Sequence, residues 1–308
     1  MPLSGNRQFN DTDSRLSKSI RAIGPLFAWW PEYRKSKVGV IGLIMVGIFI
    51  FAIILAPYIA THDPTFKDRD FMWKAPSFSH FFGTTAQGKD VFSQLLHSGQ
   101  ISLMIGVAAA GAVTAMGTII GLIAGYFGGI VDEILTRIAD ILLVLPRLPL
   151  MLVLAAYLGP GMSTIVFVVV ILGWTRIARQ VRAQVMSCKQ HTYVERAKSI
   201  GAGNFHIIWN HILPNVAGVV IANFVLECVT VIMLEAGLSF LGFGDPLHQS
   251  WGMMLFNAQN EGAFLFGAWW QWLPPGACIA VLGIAFSFIG NTLNDRFVLR
   301  LKNIKGGA

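Results

Sequence analysis

Six runs of apolar residues, each near the length of a membrane-crossing helix, constrain this 308-residue chain more than any other feature. A hydrocarbon layer about 30 Å thick takes about 20 apolar residues of helix to cross. Backbone polar groups inside it find no water, so runs of this length must satisfy themselves as helix. The runs lie at 38–59, 101–124, 134–158, 162–177, 216–238 and 275–293. Pro146, Arg147 and Pro149 interrupt the third, and a Gly159-Pro160-Gly161 turn separates it from the fourth. Composition agrees: 54% of residues are hydrophobic and 13% charged, about half the charged share of a soluble domain. The expected fold is an all-α polytopic membrane protein with six transmembrane helices in one membrane domain.

Six spans leave both termini on one side, and lysine and arginine decide which side that is. The first 37 residues carry Arg7, Arg15, Lys18, Arg21, Arg34, Lys35 and Lys37. Arg176, Arg179, Arg182, Lys189, Arg196 and Lys198 follow the fourth run, and Arg296, Arg300, Lys302 and Lys305 follow the sixth. In contrast, residues 239–274 carry none, and the four basic residues of the first loop are balanced by acids. Both termini are therefore expected in the cytoplasm. The organisation that follows is a cytoplasmic extension at 1–37, a membrane domain at 38–293 and a cytoplasmic tail at 294–308. Loops 60–100 and 239–274 face outward, and a loop at 178–215 faces the cytoplasm. The amino terminus is too polar, and its first apolar run too long, for a cleaved signal. Trp29, Trp30 and Tyr33 suit either an interfacial aromatic belt or a short amphipathic helix packed on the protein.

Several features argue against chemistry in the chain itself. Cys188, Cys228 and Cys278 stand far apart, with no CxxC pair, and read as free thiols. His206 and His211 are the closest histidine pair, but five residues on an α-helix turn them away from each other, so no metal site is expected. Gly83 to Asp90 nearly matches the phosphate-binding pattern GxxxxGK[ST], yet Asp90 stands where a magnesium-binding hydroxyl is needed. No HExxH or GxSxG occurs. The net charge of +7 is accounted for by its placement beside the spans, and no nucleic acid is implied.

Inside the spans, Gly117, Gly121 and Gly125 form a GxxxGxxxG ladder suited to close helix packing, or simply one of the small-residue stripes common in membrane helices. Arg137 and Asp140 are spaced to pair on one helix face. Arg147 and Glu227 lie near the middle of their runs, where a charge costs roughly 2.5–3.5 kcal/mol. Two readings remain open: they line a watery cavity and meet the charged ends of a substrate, or they form a buried pair.

The segment 191–215, HTYVERAKSIGAGNFHIIWNHILPN, is polar and basic between two apolar runs. Thr192 to Glu195 has the pattern of a capping box. Gly201 is placed to end that helix in a left-handed conformation. Asn204 is placed to cap a second short helix, and Pro214 to reset the chain before the fifth span. Two short helices around a glycine corner suit a docking element.

Here the residues carry a resemblance. Glu195, Ala197, Gly201, Leu213 and Pro214 match the spacing of the cytoplasmic motif in permease subunits of bacterial ABC importers, with Arg196 and His211 as departures. Residues 82–103, residues 121–146, and EAGLSFLGFG at 235–244 with Trp251-Gly252-Met253-Met254-Leu255 resemble the dipeptide/oligopeptide (peptide/nickel-type) branch, the type with a long amino-terminal extension. The likeness covers about residues 35–295.

It implies a type I importer permease fold in the bacterial inner membrane, with this chain as half of a pathway for peptides or related solutes. The implied partners are a second, homologous permease, two cytoplasmic ATPases and an extracytoplasmic solute-binding protein. ATP and Mg²⁺ would be bound by the ATPases, with no cofactor in this chain. The implied coupling residues are Thr192, Tyr193, Glu195, Arg196, Ala197, Ile200, Gly201, Ala202, His211, Leu213 and Pro214. The alternative, an ion-coupled secondary carrier, favours inverted repeats with paired broken helices. The sequence has one proline-interrupted span and no counterpart to it.

Overall fold

The computed structural model describes residues 30–305. Among them the regular structure is helical, apart from one isolated bridge between Thr84 and Asp90. The helices are α1 (Trp30–Tyr33), α2 (Lys37–Ile54), α3 (Ala56–Ile59), α4 (Val91–Phe127), α5 (Gly129–Val144), α6 (Arg147–Leu158), α7 (Met162–Lys189), α8 (Thr192–Ser199), α9 (Asn204–Ile207), α10 (Leu213–Leu238), α11 (Trp251–Asn260) and α12 (Trp269–Lys305). A π-helical turn at Ile208–Ile212 splices α9 onto α10, and a second at Ser239–Phe243 extends α10. Among the described residues, five helical stretches are long and apolar enough to cross a membrane: Lys37–Ile54, Val91–Phe127, Met162–Lys189, Asn204–Phe243 and Trp269–Asp295.

The remaining expected span is not a single helix. The run at 134–158, expected as a single span, consists of α5 and α6 meeting at 91°. The cause is local. A proline disfavours helical backbone in the residue before it, and Leu145 is extended at φ −72°, ψ 136°. The Pro146 carbonyl then accepts from the Leu150 amide and starts α6. Pro149 falls in the first turn of α6, where its missing N–H has no helical partner to lose.

Several helices run past the apolar runs that announced them. The 37-residue α4 is about 55 Å long at 1.5 Å per residue. Its amino-terminal turn is capped by Asp90, whose carboxylate accepts from the Ser93 amide at 2.8 Å. The body of the molecule is built on α4 lying along α7, with α10 packed against α4 and α12, and α2 on α12. On α2, Ile44, Ile48, Phe51 and Ile54 are exposed; their three- and four-residue spacing makes one stripe, the face such a helix turns to lipid.

Of the aromatic residues before the first span, Trp29 lies outside the described residues, as do Arg7, Arg15, Lys18 and Arg21. Trp30 is exposed, whereas Tyr33 is buried and donates its hydroxyl to the Gly39 carbonyl at 2.9 Å. Tyr33 therefore belongs to a short helix packed on the protein.

Candidate functional site: an elbow at one end of the bundle and a charged cluster within it

Beyond the end of α7, the chain forms two short helices around a corner at Gly201. Gly201 has φ +83°, a conformation that glycine adopts without steric cost. The Gly201 amide donates to the Lys198 carbonyl and the Ala202 amide to the Ala197 carbonyl, both at 3.0 Å. This bond pair is the Schellman arrangement that closes a helix. The amino-terminal end of α8 differs from expectation. His191 occupies the cap position with no side-chain bond, and Thr192 is already helical, so the reciprocal Thr192–Glu195 capping box does not form. Nor does Asn204 cap α9: Gly203 holds that position, and the Asn204 Oδ1 instead accepts from the Tyr126 hydroxyl at 2.8 Å.

Pro214 does not reset the chain either. It sits in the first turn of α10, which continues from α9 through the π-helical turn. That turn corrects a second expectation. Its i→i+5 winding brings residues five apart onto one face, and the His206 and His211 rings meet edge to face with centroids 5.7 Å apart.

One side of the elbow is fastened to the bundle. Val194, Ala197, Ile207 and Ile212 are buried in the same apolar core as α4 and α7. Tyr126, at the end of α4, makes three further attachments. Besides its bond to Asn204, its carbonyl accepts from the Lys189 Nζ at 2.6 Å, and the Lys198 Nζ lies 5.6 Å from its ring centroid. The other side is open: Ile200 is 85%, Phe205 77% and Trp209 60% exposed, with Phe205 and Trp209 stacked. Of the other residues singled out from sequence, Thr192, Tyr193, Glu195, Arg196, Gly201 and Pro214 are exposed, Ala202, His211 and Leu213 half-buried. Partial burial pushes the Tyr193 hydroxyl above its ordinary range.

Above the elbow, Gly117, Gly121 and Gly125 face α7. A Cβ added at Gly121 would lie 2.7 Å from the Ala178 carbonyl oxygen; at Gly117 and Gly125 the nearest α7 atoms would be 2.8 Å away. The two backbones approach as closely as they do because these side chains are absent. At the same end, Arg182 pairs with Asp132 and Arg179 with Asp140. The expected Arg137–Asp140 pair does not form. Arg137 bonds Glu133 one turn back at 2.7 Å, and Asp140 is drawn to α7, which a single-helix reading does not take into account.

Farther along the bundle, α6, α7 and α10 bring three charges together. Glu227 is fully buried. Its Oε2 accepts from the Arg176 Nη2 at 2.6 Å, and its Oε1 lies 3.6 Å from the Arg147 Nη2. Gly173 leaves room for Arg147: a Cβ there would lie 2.9 Å from its Nη2. Arg147 and Glu227, far apart in sequence, are thus neighbours, and Arg176 is the third member that sequence reasoning counted only as a loop charge. The signal for it was the cost of a lone carboxylate in an apolar span, which demands a partner. The cluster carries one excess positive charge.

At the opposite end of α4, residues 83–90 form a loop that leads into the helix. Gly83 and Gly88 have positive φ. Lys89 and Glu261 lie nearby, burial pushing the Lys89 ammonium below and the Glu261 carboxyl above their ordinary ranges, since burial disfavours the charged forms. Another buried carboxylate, Glu235, accepts from the Ser239 and Ser250 hydroxyls at 2.8 and 2.6 Å. It ties the end of α10 to the start of α11.

Comparison with known proteins bears on the same regions. Residues 117–303 match the family model described as "binding-protein-dependent transport system inner membrane component", and residues 24–76 match the amino-terminal transmembrane domain of oligopeptide transport permease C. The chain is 36% identical over 277 residues to a dipeptide transport system permease protein of Bacillus subtilis, covering 89% of this chain and 85% of that protein. It is 36% identical over 273 residues to the oligopeptide transport system permease protein of the same organism, covering 88% of each. With a dipeptide transport system permease protein of Alkalihalophilus pseudofirmus it shares 32% identity over 284 residues, 92% of each chain.

Proposed function

The chain belongs to the family of binding-protein-dependent transport system inner membrane components, and on that basis we propose that it imports peptides or related solutes as one half of a translocation pathway, driven through its elbow. It is a multi-pass inner-membrane permease subunit of an ABC importer and not an enzyme; ATP is hydrolysed in separate subunits. This membership sets aside the secondary-carrier alternative. The partners are a second, homologous permease, two cytoplasmic ATPases that bind ATP and Mg²⁺, and an extracytoplasmic solute-binding protein. Both termini, the extension at 1–37, the loop at 178–215 and the tail at 294–308 lie in the cytoplasm; loops 60–100 and 239–274 lie outside.

The observation that carries the coupling reading is the two-sidedness of the elbow. Its inner face is continuous with the core of α4 and α7, while Ile200, Phe205 and Trp209 lie open. Exposed apolar surface beside charged residues is the character of a protein interface. Thr192, Tyr193, Glu195, Arg196, Ala197, Ile200, Gly201, Ala202, His211, Leu213 and Pro214 form this coupling element. Movement of the ATPase surface is passed to the spans through Val194, Ala197 and Tyr126. Scrambling residues 191–215 is expected to abolish both ATPase co-purification and ATP-driven uptake while the spans still insert; retention of both activities would falsify the proposal.

Arg147 and Glu227, with Arg176, serve the pathway by meeting the charged ends of a peptide. Glu227 balances one arginine, which leaves the other available to a substrate carboxylate. In Arg147→Ala and Glu227→Ala, uptake of charged analogues should fall relative to neutral ones. Unchanged selectivity in both variants would reduce the cluster to a structural ion pair.

A further inference from the structure

A second cluster lies at the end of α4 away from the elbow, outside everything the transport reading uses. His62, His80 and Asp90 come from separate stretches of the chain, and one donor atom from each lies within 4.8 Å of the other two. The His80 Nδ1 is 2.9 Å and the His62 Nδ1 4.0 Å from the Asp90 Oδ1. The two imidazoles stack with centroids 4.5 Å apart. His80 and Asp90 are buried, whereas the His62 side chain is 40% exposed.

The surroundings hold these donors in place. Asp90 Oδ2 accepts from the Ser93 amide and hydroxyl at 2.8 and 2.7 Å, leaving Oδ1 turned to the histidines. His80 is held by a turn in which its amide donates to the Ser77 hydroxyl and its carbonyl accepts from the Ser77 amide. Gly88 (φ +75°) presses so closely on the Asp68 backbone that a Cβ there would lie 1.7 Å from the Asp68 carbonyl oxygen. Beside the cluster is a cavity of about 150 Å³ whose lining includes Phe66 and Phe71 as well as His62, Asp63, His80 and Asp90. A water molecule takes about 30 Å³ of liquid, so there is space for an ion and its remaining water.

We propose that His62, His80 and Asp90 bind a divalent transition-metal ion, with Zn²⁺ the best match, and that the ion staples the loop between α3 and α4 onto the amino-terminal end of α4. Two imidazoles and one carboxylate are a donor set that zinc accepts with a fourth position left for water. Ligands about 2.0–2.1 Å from a tetrahedral ion stand about 3.4 Å apart. His80 and Asp90, hydrogen-bonded to each other at 2.9 Å, must part by about 0.5 Å to meet that spacing. His62 must swing inward by roughly an ångström, exchanging the 3.0 Å bond between its Nδ1 and the Thr61 hydroxyl for the metal. Serine and threonine around Asp90 supply the outer hydrogen bonds that orient a metal-binding carboxylate. The elbow histidines, His206 and His211, belong to a different end of the molecule and supply the internal control.

The test uses the full chain in lipid nanodiscs, purified with a tag that lacks histidine, and Zn²⁺ as the only added ligand. Competition against a chromophoric chelator should give one tightly bound Zn²⁺ per chain. His62→Ala and His80→Ala should each weaken it at least tenfold, and His206→Ala should leave it unchanged. His62→Ala removes an exposed ring, so unchanged thermal unfolding of that variant without zinc separates lost binding from lost fold. Hydrogen exchange at residues 61–90 should slow on zinc addition in the parent and not in His62→Ala. Absence of stoichiometric zinc, zinc retained in both histidine variants, or zinc lost with His206→Ala would each overturn the site.

Discussion

Tyr126 shows how one residue can join two working parts, through its carbonyl to Lys189 and its hydroxyl to Asn204. Nothing in its sequence neighbourhood marks it, because its partners lie 63 and 78 residues away at Lys189 and Asn204. Removing only its hydroxyl should cost about 0.5–1.5 kcal/mol, the net value of a typical hydrogen bond. Tyr126→Phe is therefore expected to insert and assemble, with ATP-driven uptake reduced. Asn204→Ala should give a similar loss, and the double variant little more, because both remove the same bond. Additive losses would mean that the two residues act separately. Glu227 offers the converse lesson. Its presence in an apolar run was conspicuous, and a need for countercharge was legible. The identity of the second arginine was not, since Arg176 becomes a neighbour only when α7 and α10 pack.

At the level of elements, backbone chemistry was read well at the glycine corner. Gly201 closes α8 with φ +83°, because a left-handed helix end is a property of the few residues around it. The 91° bend between α5 and α6 also has a local cause at Pro146, yet the apolar run continues across it, so hydropathy alone joined the two pieces. Capping went the other way. Thr192 and Asn204 are suitable cap residues, but the α7–α8 turn places His191 at one cap, and Tyr126 engages Asn204 at the other. The glycine ladder gives a sharper test. Gly121→Leu places its first carbon 2.7 Å from the Ala178 carbonyl, and overpacking of this kind costs about 1–3 kcal/mol. Its detergent melting temperature should fall, while Gly47→Ala, at a site with no atom within 4 Å, should leave it unchanged.

At the scale of the whole molecule, topology is the property to test. Ile200 and Leu265 are both strongly exposed, at 85% and 90%, and the proposed orientation puts them on opposite sides of the membrane. Cysteine substitutions at each, with the native cysteines replaced, should react with a membrane-impermeant maleimide in intact cells only for Leu265→Cys. Labelling of Ile200→Cys instead would invert the arrangement. Membrane-length apolar runs and a glycine at a helix end are local or additive signals, so the sequence by itself determined the all-α membrane class and the glycine corner. Which helices touch depends on surfaces brought together from distant stretches of chain. Only the tertiary structure therefore decided that α7 receives the glycine ladder, that Arg176 joins Arg147 at Glu227, that Tyr126 holds the elbow, and that His62, His80 and Asp90 converge.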